Sequence, residues 1–109
     1  MFPATPLWDS LYALEGATVS TLDEEQPFLV EKVSSEGIAI FTSTGEHQVI
    51  PRSQIEAVWQ HLVRTETMSL SEVAQYSPHY AAHVAAILSR MPEVSYTLNP
   101  LTLRLSWGI

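Results

Sequence analysis

The sequence predicts an α+β protein: an N-terminal helix and a small antiparallel β meander, then three helices and a β-hairpin. Three observations carry this. Residues 17–50 are rich in Val, Ile, Thr and Phe, and are cut by the turn-forming runs Ser34-Ser35-Glu36-Gly37 and Ser43-Thr44-Gly45-Glu46. Residues 53–64 place Ile55, Val58, Trp59 and Leu62 at the spacing of one buried helical face. Residues 69–91 hold two helix starts and a stop. Ser69 with Glu72 is a capping box, Ser77 before Pro78 is a second start, and Met91-Pro92 ends the pair.

A chain of 109 residues with 46% apolar content can bury one sizeable core. We expect one compact domain in two parts, 1–51 and 52–109. The absence of cysteine excludes disulfides, zinc-thiolate sites and thiol nucleophiles. No apolar run reaches membrane length, and the start lacks the basic region of a secretory signal, so a cytoplasmic location is expected. Net charge is −7 and uneven. Residues 1–50 carry Asp9, Glu15, Asp23, Glu24, Glu25, Glu31, Glu36 and Glu46 against Lys32 alone. Residues 51–109 balance Glu56, Glu66, Glu72 and Glu93 against Arg52, Arg64, Arg90 and Arg104. An acidic front half repels phosphate and disfavours nucleic acid as a partner.

The first helix is expected over residues 5–16. Thr5 caps it, Pro6 suits its first turn, and Gly16 suits its end. Leu7, Leu11 and Leu14 share a face, with Trp8 beside them. Such an apolar end, which includes Met1 and Phe2, either covers the chain's own core or serves as a dimerisation arm. Strands are expected over 17–22, 28–33, 38–42 and 47–50, with Pro27 at a strand opening. The acidic run Asp23-Glu24-Glu25 falls in the loop before Pro27. It reads as a solvated loop, since no calcium-loop spacing follows it.

Ser53 and Glu56 make a capping box for the helix that runs to about Arg64. Residues 65–68 link it to the helix pair, with room for a short strand. Residues 94–98 and 101–107 alternate as strands around the turn Asn99-Pro100. Leu101, Leu103, Leu105 and Trp107 face one way; Thr102, Arg104 and Ser106 face the other. Trp59, Leu62, Leu70, Val73, Val84, Leu88 and Leu103 are expected to share the second core.

The order from residue 53 to 107 resembles the winged-helix superfamily: helix, short extended link, helix, turn, helix, hairpin. Within it, Ser69-Leu70-Ser71-Glu72-Val73-Ala74 is similar to the first helix of many helix-turn-helix units, with small Ala74 allowing a close crossing. One departure is that Tyr76-Ser77-Pro78 stands where many such units carry a glycine. The resemblance implies that residues 78–91 are the recognition helix and Asn99-Pro100 the tip of the wing.

On a helical projection Tyr80, Val84, Ile87, Leu88 and Met91 point inward. His79, Ala82, His83, Ala86 and Arg90 lie opposite, and alanines there let another surface approach the backbone closely. That side offers Arg90 but no Lys, Asn or Gln to bases and phosphates. The candidate binding residues are therefore His79, Ala82, His83, Ala86 and Arg90, with Arg104 on the wing. We expect a non-enzymatic regulatory or adaptor protein that binds a protein partner, or a second copy of itself, through this face. On that basis Ala82→Glu and Ala86→Glu should abolish association. The alternative is a sequence-specific DNA-binding regulator acting as a dimer, in which Arg90→Ala and Arg104→Ala should weaken binding.

His79 and His83 are four residues apart and could chelate Zn²⁺ or Ni²⁺ on one helical face. A metal-binding or sensing role through this pair is the second alternative. Tyr80 follows His79 where the metalloprotease motif needs Glu, so the general base is missing. No nucleophile elbow, P-loop or dinucleotide fingerprint occurs, and no cofactor is expected.

Overall fold

The computed structural model describes residues 7–106. Helix α1 (Leu7–Tyr12) precedes four antiparallel strands, β1 (Thr18–Ser20), β2 (Pro27–Ser34), β3 (Gly37–Phe41) and β4 (His47–Pro51), paired in chain order. Alternation gives the sheet two faces. Val19, Phe28, Val30, Ile38, Ile40 and Ile50 are buried on one, while Leu29, Ala39 and Phe41 are only half-buried on the other.

Strict alternation along β2 cannot bury both Val30 and Val33. A bulge between Val30 and Lys32 shifts the register, and both valines are buried. The Val33 N–H donates to Glu15 Oε2 at 2.8 Å, tying the α1–β1 turn to the bulge. Gly37 opens β3 at φ +142 because β4 lies against it. A Cβ there would collide with the Ile50 carbonyl oxygen and come within 2.9 Å of the Arg52 nitrogen.

The first helix is shorter than the expected 5–16. It ends at Tyr12, and residues 13–16 form turns that place Leu14 against the core from outside the helix. Thr5, Pro6, Met1 and Phe2 lie outside the described residues.

Helix α2 (Arg52–Thr65) follows β4 with no linker. The expected Ser53–Glu56 capping box is not formed: Pro51 is the N-cap and no side chain caps it. Glu56 is used elsewhere. Its Oε2 accepts from Trp8 Nε1 at 2.9 Å and from Arg52 Nε at 3.0 Å, and the Arg52 guanidinium lies 4.2 Å from the Trp8 ring centroid. This knot docks α1 on α2, so the described part of the apolar end covers the chain's own core.

Next come β5 (Thr67–Ser69), α3 (Leu70–Tyr76), α4 (Ala81–Leu88), β6 (Val94–Thr97) and β7 (Thr102–Leu105). The three strands form a second antiparallel sheet in the order β5-β7-β6. This succession is consistent with a winged-helix unit. Leu62, Val73, Val84, Leu88 and Leu103 are buried as expected, with Trp59 and Leu70 partly buried against them. Leu101, Leu103 and Leu105 are buried on one side of the hairpin; Trp107 lies outside the described residues.

The capping box of α3 is formed: Ser69 Oγ accepts from the Glu72 N–H, and Glu72 Oε1 accepts from the Ser69 N–H at 2.9 Å. The Ser69 N–H, more than any other group, holds the Glu72 carboxyl below the usual carboxylate range.

The expected start of α4 at Ser77-Pro78 is corrected. Ser77 ends α3, its N–H bonding the Val73 carbonyl, and its buried hydroxyl donates to Gln54 Oε1 on α2 at 2.7 Å. Pro78 is the second residue of a turn closed by the Tyr80 N–H on the Ser77 carbonyl at 3.3 Å, another place that suits its fixed φ. Helix α4 then begins at Ala81 behind an N-cap, Tyr80, that makes no side-chain cap bond. It also ends earlier than the expected Met91. The Arg90 and Met91 N–H groups bond three residues back, to Ile87 and Leu88, which tightens the last turn before Pro92.

Candidate functional site

The six residues singled out on α4 and the wing do not form one site. Ala86 is the plainest correction. Expected on an open face, it is fully buried, as are Ala85 before it and Ile87 after it. Alanines do let another surface approach α4, but that surface includes the chain's own first sheet. Helix α4 packs on β1, and the His83 ring meets Phe28 of β2 edge-on, with ring centroids 4.8 Å apart.

His79, Ala82 and His83 remain together. They line a cleft of about 330 Å³ between the α3–α4 turn and the loops of the meander. Glu24, Gln26, Glu46 and Gln48 stand across it. His79 is exposed in the turn and is not part of α4. His83 is half-buried, and its Nδ1 is buried without a hydrogen-bond partner. The neutral ring with its proton on Nε2 suits this position, because protonation would bury an N–H with no acceptor. Burial accordingly pushes the His83 pKa down. Among the described residues, no three His, Asp or Glu side chains are grouped to hold a metal ion.

A second titratable group ties α2 to α3. His61 Nδ1 and the Tyr76 hydroxyl are hydrogen-bonded at 2.9 Å. His61 Nε2 lies 3.5 Å from Glu72 Oε2, too long for a well-formed hydrogen bond, so this contact is electrostatic at most.

Arg90 and Arg104 separate from the histidines. Arg104 is exposed on β7, opposite Ser95 of β6 and Thr67 of β5, on the solvent side of the second sheet. Arg90 lines a different cleft, of about 420 Å³, with Leu22, Glu25, Tyr96 and Leu98. Leu98 also borders a cleft of about 400 Å³ with Asp23, Ser71 and Pro100. It forms a ridge between the two, with one carboxylate on each side.

Sequence reasoning missed Tyr96 and Leu98. Val94, Tyr96 and Leu98 alternate as a core-facing set, yet Tyr96 is 44% and Leu98 48% exposed, while Val94 is buried. The sequence carries no signal for this, because β6 ends at Thr97 and lies at the sheet edge only through the fold.

Comparison of the chain with protein-family models, curated proteins and solved structures returned no match.

Proposed function

We propose that this chain is a non-enzymatic regulatory or adaptor protein of the cytoplasm. It binds a protein partner, and the contact surface is the wing side of the molecule, not helix α4. The observation that carries this is the cover over α4. Ala85, Ala86 and Ile87 are buried and His83 meets Phe28 edge-on, so the first sheet covers much of the side of this helix that would have to face a DNA groove. Of the four large apolar side chains exposed among the described residues, Tyr12, Val49, Tyr96 and Leu98, the last two line one cleft together. No helix among the described residues is long and apolar enough to cross a membrane.

A DNA-binding regulator working as a dimer is the second reading. The exposed position of Arg104 on the wing favours it. One pair of experiments separates the two. Anisotropy of a labelled random-sequence duplex is titrated at low and at physiological salt. In parallel, tagged wild-type protein and Leu98→Asp are used to capture partners from the source organism. The expected result is no salt-steep DNA binding, and a protein partner retained by wild type. DNA binding that weakens steeply with salt and is lost in Arg90→Ala and Arg104→Ala would replace this reading with the second one.

A further inference from the structure

We infer that β6 is a docking edge for an extended, basic segment of a partner protein, which adds a strand to the β5-β7-β6 sheet. This rests on the protein-binding reading above and names its surface.

The phase of the ladder shows which backbone groups are free. In an antiparallel pair, the N–H and C=O of one residue point to the same side, and successive residues alternate. The Leu105 N–H donates to the Glu66 carbonyl, and the Leu70 N–H to the Leu101 carbonyl, so Leu101, Leu103 and Leu105 bond toward β5. The Ser106 N–H donates to the Glu93 carbonyl, which sets the opposite phase toward β6. With Ser95 opposite Arg104 and Thr97 opposite Thr102, these two residues of β6 bond β7. The N–H and C=O of Tyr96 then point outward, and no other described group bonds them.

The two edges of this sheet are treated differently. On β5 the outward groups belong to Thr67 and Ser69, and side chains occupy the Thr67 carbonyl and the Ser69 N–H. Thr65 Oγ1 donates to the Thr67 carbonyl at 2.8 Å, and Glu72 Oε1 accepts from the Ser69 N–H at 2.9 Å. That edge is partly closed by the chain itself, as exposed edges commonly are. The β6 edge has no such guard.

Side chains and charge specify what would sit there. Tyr96 shares a face with buried Leu103, its pairing partner, and overlooks the cleft that Leu22 and Leu98 line. An incoming strand would place an apolar side chain over these three, and its alternate residues would face out. The flanking loop presents Asp23 and Glu25, both exposed, on the Tyr96 side beside Arg90, while Arg104 lies on the opposite face of the sheet. The whole chain carries −7. A second copy pairing edge to edge would bring two such loops together, whereas a segment rich in Lys or Arg complements them.

The test uses labelled peptides and the full chain. The probe is Lys-Lys-Thr-Val-Thr-Leu-Thr-Lys-Lys, with its charges beyond the pairing residues so that none faces Arg104, and the control is the same peptide with Glu for every Lys. The expected result is binding of the basic peptide alone, with slowed hydrogen exchange at the Tyr96 amide. Leu98→Asp should weaken it at least about tenfold. Tyr96→Pro, which removes the outward N–H and leaves the β7 ladder intact, should do the same, with circular dichroism showing that each variant is folded. No binding, equal binding of both peptides, or an unprotected Tyr96 amide would overturn the inference. So would a wild-type dimer that Leu98→Asp converts to monomer. Cellular capture of a protein partner undiminished by Leu98→Asp would overturn the docking edge yet leave the protein-binding reading standing.

Discussion

Helices α3 and α4 are neighbours in the chain and nearly equal in length, but different forces hold them. Helix α3 carries its own start. Ser69 and Glu72 bond each other's backbones, and Val73 is its one fully buried residue. Helix α4 has no side-chain cap, yet Val84, Ala85, Ala86, Ile87 and Leu88 are all buried. One helix is specified by hydrogen bonds within a single turn. The other is specified by what closes over it, including a strand far back in the chain. Local bonds of the first kind contribute about 1 kcal/mol, while burial of such a helix is a property of the whole fold.

The sharpest way to break this contrast is Ala86→Glu. At an open binding face it would abolish association and leave stability alone. At a fully buried position it places a carboxylate in the core. The expected cost exceeds about 4 kcal/mol, enough to unfold a domain of ordinary stability, and a urea titration followed by circular dichroism reads it. Near-native stability would mean that α4 is not covered as described.

Ser69→Ala tests the other helix. Losing the cap acceptor should lower stability by about 1 kcal/mol, read as a shifted urea midpoint at unchanged slope. The pair of variants thus probes the two kinds of helix at their characteristic magnitudes.

The smallest effect concerns pH. His83 has a depressed pKa in the folded chain, so below about pH 6.5 the unfolded chain takes up a proton that the folded one resists. Its contribution is complete above that pH and is lost as pH falls. The expected loss between pH 6.5 and 5.5 is below about 1 kcal/mol, and His83→Gln should flatten the slope. The charged or titratable groups facing the same cleft are Glu24, Glu46, His79 and Tyr80. Glu72, whose pKa is also depressed, acts in a lower window, its contribution fading as pH falls below 4.5. A slope unchanged by His83→Gln would assign the pH dependence to other groups.

How much was legible depended on how far each signal had to reach. The meander, its turns and the apolar face of the C-terminal hairpin followed from alternation and turn chemistry within a few residues. The α2 stripe of Ile55, Val58 and Leu62 was equally plain. Two capping patterns with the same spelling met different fates. Ser69–Glu72 closed on itself, whereas Glu56 was drawn away by Trp8 and Arg52. Ser77 was likewise taken by Gln54, more than twenty residues earlier in the chain.

By itself the sequence determined the α+β class, the order and approximate bounds of its elements, and which residues of the last strand face the core. These depend on periodicity and on bonds between near neighbours. Only the tertiary structure decided that α4 is covered on its alanine side, and that Ala86 is interior while Leu98 is not. It also decided that β5 is guarded at its edge and β6 is open. A helical repeat shows that an element has two sides; it does not show how many of them another part of the chain will cover. Alanine suits a tight internal contact and an open surface equally well, so that choice is made by packing alone.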